Sequence, residues 1–223
     1  MGVVVVAAGS GTRLGAGLPK AFVDLAGQTL LERAVSGVVA AGVGHIAVVV
    51  PQDRVAQAHE LLATVCGDAV VSVVAGGAER TDSVAAGLAA LPPQVVTVLV
   101  HDAARCLTPV VVFERVIAAI AGGAKGAIPG LPVVDTIKVV DADGVITATP
   151  ARDTLRAVQT PQGFVRSVLE EAHASGSAAT DDAALVEALG HTIVVVDGDQ
   201  RSMKVTTPED LDRALRLLDQ PTH

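Results

Sequence analysis

The residues whose types and spacing could do chemistry cluster early in the chain. Ala7-Ala-Gly-Ser-Gly-Thr-Arg-Leu14 follows directly on the apolar run Val3–Ala7 and precedes Leu18-Pro-Lys-Ala-Phe22. Gly9 and Gly11 allow a backbone to come close to a phosphate and turn its N–H groups toward it, while Arg13 and Lys20 can neutralise the spread negative charge. The pattern is not the dinucleotide fingerprint, whose third glycine would fall at Leu14, nor a P-loop, since no Gly-Lys-Ser/Thr follows. An ordinary strand-to-helix turn with two surface cations is the plain alternative, and the company of Arg13 and Pro19-Lys20 favours a triphosphate cradle over it. A second candidate is Asp102, at the end of the apolar run Val95–Val100. Open α/β sheets bind ligands at such strand ends, and a carboxylate there can ligate magnesium, the alternative being a loop-capping aspartate.

These groups need a scaffold. Val3–Ala7, Ile46–Val50, Val70–Val74, Val95–Val100, Ala127–Ile128 and Thr192–Val196 read as buried parallel strands. Between them, Thr29–Ala41, Val55–Val65, Ser83–Leu91 and Val110–Ala121 are Ala- and Leu-rich and of helical length. The alternation implies βαβ units and one Rossmann-like α/β domain over residues 1–223, with a mostly parallel mixed sheet flanked by helices. One stretch departs from it: Val133–Val140 and Val145–Thr147, joined by Asp141-Ala-Asp-Gly144, read as an inserted β-hairpin arm within about 133–157. A lone hairpin is marginal in water, so a second subunit is expected to cover it. Near the C-terminus, Thr207-Pro208-Glu209-Asp210 marks a helix start running to Leu218, and Thr180 is expected to cap another helix.

Composition narrows the partners. A net charge of -8 speaks against nucleic acid, whose binding needs many cations, and the near absence of aromatic residues removes stacking platforms. The core must be built from Val, Leu, Ile and Ala, since there are only three Phe and no Trp or Tyr. The two cysteines, Cys66 and Cys106, stand far apart without a metal-binding pattern, which suits a reducing cytoplasm. The apolar start lacks a basic leader and is interrupted at Gly9–Gly17, so neither a signal peptide nor a membrane span is expected.

Taken together, the motifs resemble the nucleotidyltransferases of the nucleotide-sugar pyrophosphorylase type, and within them the 2-C-methyl-D-erythritol 4-phosphate cytidylyltransferase family of the non-mevalonate isoprenoid pathway. The pieces that carry the likeness are the Ala7–Arg13 loop, Pro19-Lys20, Gly76-Gly-Ala-Glu-Arg-Thr-Asp-Ser83, His101-Asp-Ala-Ala-Arg105, Asp135-Thr-Ile-Lys138, Arg152, Gln159-Thr-Pro-Gln-Gly-Phe164, Thr180-Asp181 and Lys204-Val-Thr-Thr-Pro-Glu-Asp210. The resemblance implies in-line attack by a methylerythritol phosphate oxygen on the α-phosphorus of CTP, with magnesium bridging phosphates and pyrophosphate leaving. Arg13 and Lys20 match the family's transition-state stabilisers, and Arg152 and Lys204 the pair that orients the acceptor. Ala7, Ala8, Gly9 and Gly11 match its CTP loop, the Gly76-Gly77 turn with Ser83 its cytosine and ribose contacts, and Arg105, Thr136, Arg152, Thr160 and Lys204 its acceptor site. Asp102 and Ala103 at the strand end are further CTP-site candidates, Asp102 also the candidate metal ligand, and Thr180 is a further acceptor-site candidate. It further implies a homodimer in which the arm lends Arg152 to the neighbour's site.

Departures from the family pattern are Val6, where proline usually precedes the Ala-Ala-Gly, and Ala78, where some members carry an acid. His101 reads as structural, because a phosphate nucleophile needs no histidine base, and the other five histidines read as surface residues. Asp199 is a further candidate magnesium ligand. A ribitol 5-phosphate cytidylyltransferase shares the nucleotide loop and is the nearest alternative. A non-catalytic nucleotide-binding regulator would have no need of Arg13, Lys20, Asp102, Arg152 and Lys204 together.

Overall fold

The computed structural model describes residues 1–9, 11, 14, 17–176 and 179–219. In chain order its elements are β1 (Gly2–Val6), β2 (Asp24–Leu25), β3 (Gln28–Thr29), α1 (Leu30–Ala40), β4 (His45–Val50), α2 (Val55–Leu62), β5 (Val70–Ala75), α3 (Arg80–Ala90), β6 (Thr97–Asp102) and α4 (Val110–Ala121). There follow β7 (Gly126–Pro132), β8 (Val139–Val140), β9 (Ile146–Ala148), β10 (Arg156–Val158), β11 (Gln162–Val165), α5 (Arg166–Ala174), α6 (Asp182–Ala188), β12 (Ile193–Asp197) and α7 (Pro208–Leu218).

Strand β1 lies at the middle of the sheet, pairing in parallel with β4 on one side and β6 on the other, and β5 continues beyond β4. Past β6 the direction reverses: β11 runs antiparallel to both β6 and β7. β10 pairs antiparallel with the far end of β7, and β12 runs parallel to it. Gly130 has both Val158 and Asp197 as partners, so β12 and β10 flank opposite edges of β7. The result is the mixed, mostly parallel sheet expected from the apolar runs. The antiparallel β10 and β11 and the helix α5 are additions that the alternation of runs did not announce.

The period-two projection of strand side chains divides the core. Val3 and Val5 face a layer formed with Leu30, Leu31 and Val35 of α1, Leu62 of α2, Phe113 and Val116 of α4 and Ala214 of α7. Val4 faces the other layer, with Val84 and Leu88 of α3, Leu169 of α5 and Val186 of α6. All three phenylalanines are buried, and aliphatic side chains fill the rest. Local signals fix the helix starts. Thr29 and Glu32 form a reciprocal capping box at α1, and Thr207 and Asp210 do the same at α7 with Pro208 in its first turn. At α6 the cap is Asp181, whose Oδ1 accepts from the Ala184 amide at 3.0 Å, rather than the expected Thr180. A carboxylate held by Gln162 is the better acceptor for an exposed turn.

The hairpin forms, but shorter than the apolar pattern suggested. β8 and β9 make a two-stranded sheet of their own, turned by Asp141, whose Oδ1 accepts from the amides of Asp143 at 3.0 Å and Val145 at 2.9 Å. Residues 133–138 have no strand partner among the described residues, and Val134, Val140, Val145 and Ile146 are exposed. Among the described residues no helix is long and apolar enough to cross a membrane.

Candidate active site

Register brings the site together. Val6 and Asp102, the last residues of β1 and β6, are lateral partners, and the Ala103 amide donates to the Val6 carbonyl at 3.1 Å. Their loops therefore leave the same edge of the sheet side by side. Above that edge lies a cleft of about 240 Å3, walled by Val6–Gly9, Lys20–Ala21, Gly77–Arg80, Ser83, Asp102–Ala104 and Lys204. Of the residues singled out from sequence, Ala7, Ala8, Gly9, Lys20, Gly77, Ser83, Asp102, Ala103 and Lys204 all meet in it.

Each wall has a local cause. Pro19 precedes a single 3-10 turn, Lys20–Phe22, whose Ala21 and Phe22 are buried and so anchor Lys20 at the rim. Gly11 has φ +68°, and a Cβ there would lie 2.7 Å from the Lys20 nitrogen, so only glycine lets the first loop pass this close. On the opposite wall the Ser83 hydroxyl donates to the Glu79 carbonyl at 3.1 Å and accepts from the Gly77 amide at 3.3 Å, closing the turn into α3. Arg13 lies outside the described residues.

Asp102 is the electrostatic centre. Its carboxylate is 2.7 Å from Lys204 Nζ and 3.9 Å from a guanidinium nitrogen of Arg80. Burial alone would push the carboxyl up; Lys204, through charge and hydrogen bond, and then Arg80 and Arg105 outweigh it and hold Asp102 below its ordinary value. Among the described residues no three acidic, histidine or cysteine side chains gather to bind a metal by themselves. One cleft carboxylate kept ionised nonetheless fits magnesium of the kind that phosphate oxygens largely hold.

The floor is polar and closed. His101 is fully buried against Phe113, ring centroids 5.1 Å apart. The Thr160 hydroxyl accepts from the Asp102 amide at 3.1 Å, which leaves its proton for Nδ1 of a neutral His101 at 3.0 Å. Burial is the main reason why the His101 pKa falls to about 4.

Lys204 arrives on a pinned loop. The Gln159 side chain donates to the Asp199 carbonyl at 2.8 Å and accepts from the Asp199 amide at 3.0 Å. Arg105 donates to the Ser202 carbonyl at 2.7 Å, and the Val205 amide to the Ala104 carbonyl at 2.8 Å. Asp199 itself caps the next turn, its Oδ1 accepting from the Arg201 amide at 2.7 Å, and it is not part of the cleft wall. Thr136, Arg152 and Thr180 are exposed and lie off this cleft wall, Arg152 donating to the Val134 carbonyl at 3.1 Å.

Sequence reasoning passed over three contributors. Arg80 stood inside a quoted motif without a role, yet it lines the cleft. Gln159 likewise stood in a quoted motif without a role, which comes from a contact 40 residues away in the chain. His173 was expected at the surface; its side chain is instead 6% exposed, with Nε2 2.9 Å from the buried Asp182.

Known proteins resemble this chain along nearly its whole length. The family model for 2-C-methyl-D-erythritol 4-phosphate cytidylyltransferase (IspD) matches residues 1–220. The protein of that name from Nocardia farcinica is 52% identical over 97% of this chain and 93% of its own. The crystal structure of 4-diphosphocytidyl-2C-methyl-D-erythritol synthase from Anaerococcus prevotii superposes with TM-score 0.87 at 28% identity, covering 98% of each chain. That of the cytidylyltransferase from Thermus thermophilus has TM-score 0.76 at 34% identity, over 96% of this chain and 97% of the other.

Proposed function

The chain belongs to the 2-C-methyl-D-erythritol 4-phosphate cytidylyltransferase family, and on that premise we propose how its cleft carries out CTP-dependent cytidylyl transfer to the 4-phosphate of methylerythritol, with release of pyrophosphate. The observation that supports the assignment of roles is the Asp102–Lys204 pair, 2.7 Å apart, facing the glycine loop and Lys20 across one cleft.

Bound CTP lies along the Ala7–Gly11 loop, with its base and ribose toward Gly77 and Ser83. Attack by the acceptor phosphate on the α-phosphorus builds negative charge on the nonbridging oxygens, and Lys20, with Arg13, meets it there. Because the nucleophile is already an anion, the protein contributes positioning and fixed charge rather than a base. Asp102 would hold magnesium together with the phosphates, and the ion would supply further charge neutralisation. Lys204, with Arg105 beside its loop, receives the acceptor phosphate, and Thr160 holds the Asp102 backbone from beneath. The hairpin pairs with a second copy of the chain, and Thr136 and Arg152 of that copy complete the acceptor side; the exposed Val134, Val140 and Ile146 support such a covered arm. The enzyme acts in the cytoplasm, in keeping with its unpaired cysteines.

Purified protein with CTP and magnesium is expected to release pyrophosphate with methylerythritol phosphate; turnover with ribitol 5-phosphate alone would reverse the acceptor assignment. Lys20→Ala and Arg152→Ala should each be nearly inactive alone and regain activity when co-refolded into mixed dimers. Absence of regain would remove the shared site.

A further inference from the structure

Arg80 opens α3, and its guanidinium reaches across the cleft between the Gly77–Ser83 wall and Asp102. One of its nitrogens is 2.7 Å from Asp182 Oδ2. Asp182 is wholly buried, and its second oxygen lies 2.9 Å from His173 Nε2. The neighbouring Asp181 and the Ala183 amide are both gripped by Gln162, at 2.8 and 3.2 Å, so this carboxylate cannot shift without moving β11.

A wholly buried carboxylate is a poor way to gain stability, because desolvation offsets most of the attraction and apolar replacements commonly do as well. What the arrangement does achieve is a fixed cation. The ion pair with Asp182 fixes in place a guanidinium that is charged at any physiological pH, and 31% of the Arg80 side chain remains exposed where it lines the cleft. In a chain of net charge -8, a cation held this way 3.9 Å from the proposed metal ligand is suited to a polyphosphate.

We infer that Arg80 is a nucleotide-binding residue, contacting the phosphate chain of CTP, and that Asp182, braced by His173, is the residue that positions it. This rests on the cleft being the CTP site.

The test is the pair of neutral isosteres, Arg80→Gln with Asp182→Asn, which removes both charges without stranding either. Calorimetric titration of CTP with magnesium should show affinity about tenfold weaker than wild type, the loss of one charged hydrogen bond. KM for CTP should rise in proportion, with kcat at saturation and KM for the acceptor close to wild type, a split that a merely structural role would not produce. Asp182→Asn alone should give an intermediate loss, since Arg80 remains but is loosely held. Should the double variant fail to fold, Asp182→Asn alone carries the criterion, read as a loss smaller than tenfold. CTP affinity equal to wild type in these variants overturns the inference; wild-type protein that gives no heat with CTP overturns the cleft assignment beneath it.

Discussion

Acid should destabilise this protein through His101. The ring is wholly buried and its pKa falls from 6.5 to about 4. An unfolded chain takes up this proton near pH 6.5 and the folded chain only near pH 4, so protons favour unfolding across that interval. The contribution is complete above 6.5, shrinks as pH falls and is gone below about 4. Its full size is about 3 kcal/mol, of which about 2 kcal/mol is lost by pH 5. For a chain of this length that corresponds to roughly 4 to 8 °C in melting temperature. The control is His101→Gln, which keeps a polar group beside the Thr160 hydroxyl and does not titrate. Melting curves between pH 7.5 and 5 should fall steeply for the wild type and stay flatter for the variant, whatever their offset at pH 7. Parallel slopes would refute the reasoning, because the proton would then be binding elsewhere.

Lys204→Met should lower stability at pH 7 by about 1 kcal/mol, a modest value because the lysine side chain is 45% exposed. Since Asp102 is held below its ordinary value, that contribution is present above the unfolded carboxyl pKa and lost as pH falls through the lower folded one, so the gap to wild type should close below about pH 4 in thermal melts. Gly87→Ala should cost about 1 to 2 kcal/mol by urea denaturation despite the better helix former, because the new methyl would lie 2.4 Å from Val4 Cγ1 and 2.9 Å from Val49 Cγ2.

The central strands and the longer helices were legible from the chain alone. Val3–Ala7 and Ile46–Val50 are unbroken apolar runs buried on both faces, Thr29–Ala41 carries a helical period, and Thr207-Pro208 its own cap. What was not legible depends on partners distant in sequence. β11 is a short run, Gln162-Gly-Phe-Val165, whose strand character comes from lying between β6 and β7. Thr180 and Asp181 are both good caps in isolation, and Gln162 decides between them. At the site, the glycine loop, Lys20, Asp102 and Lys204 were found by residue type and motif. Arg80 needed Asp182, and His173 needed the same carboxylate, before either had an evident role.

The clasp of Gln159 on Asp199 bears on how such a chain can vary in length. A Cβ at Gly198 would come 2.3 Å from Gln159 Oε1, so the grip is tight as well as two-sided. There is consequently no slack between Asp199 and Lys204: an inserted or deleted residue there would break the grip or carry the ammonium away from Asp102. The Asp141–Gly144 tip, by contrast, is exposed within the chain and forms no part of the cleft wall, so it can lengthen without disturbing that grip. Insertions and deletions among enzymes built this way should therefore collect at the hairpin tip and spare the spacer before the lysine.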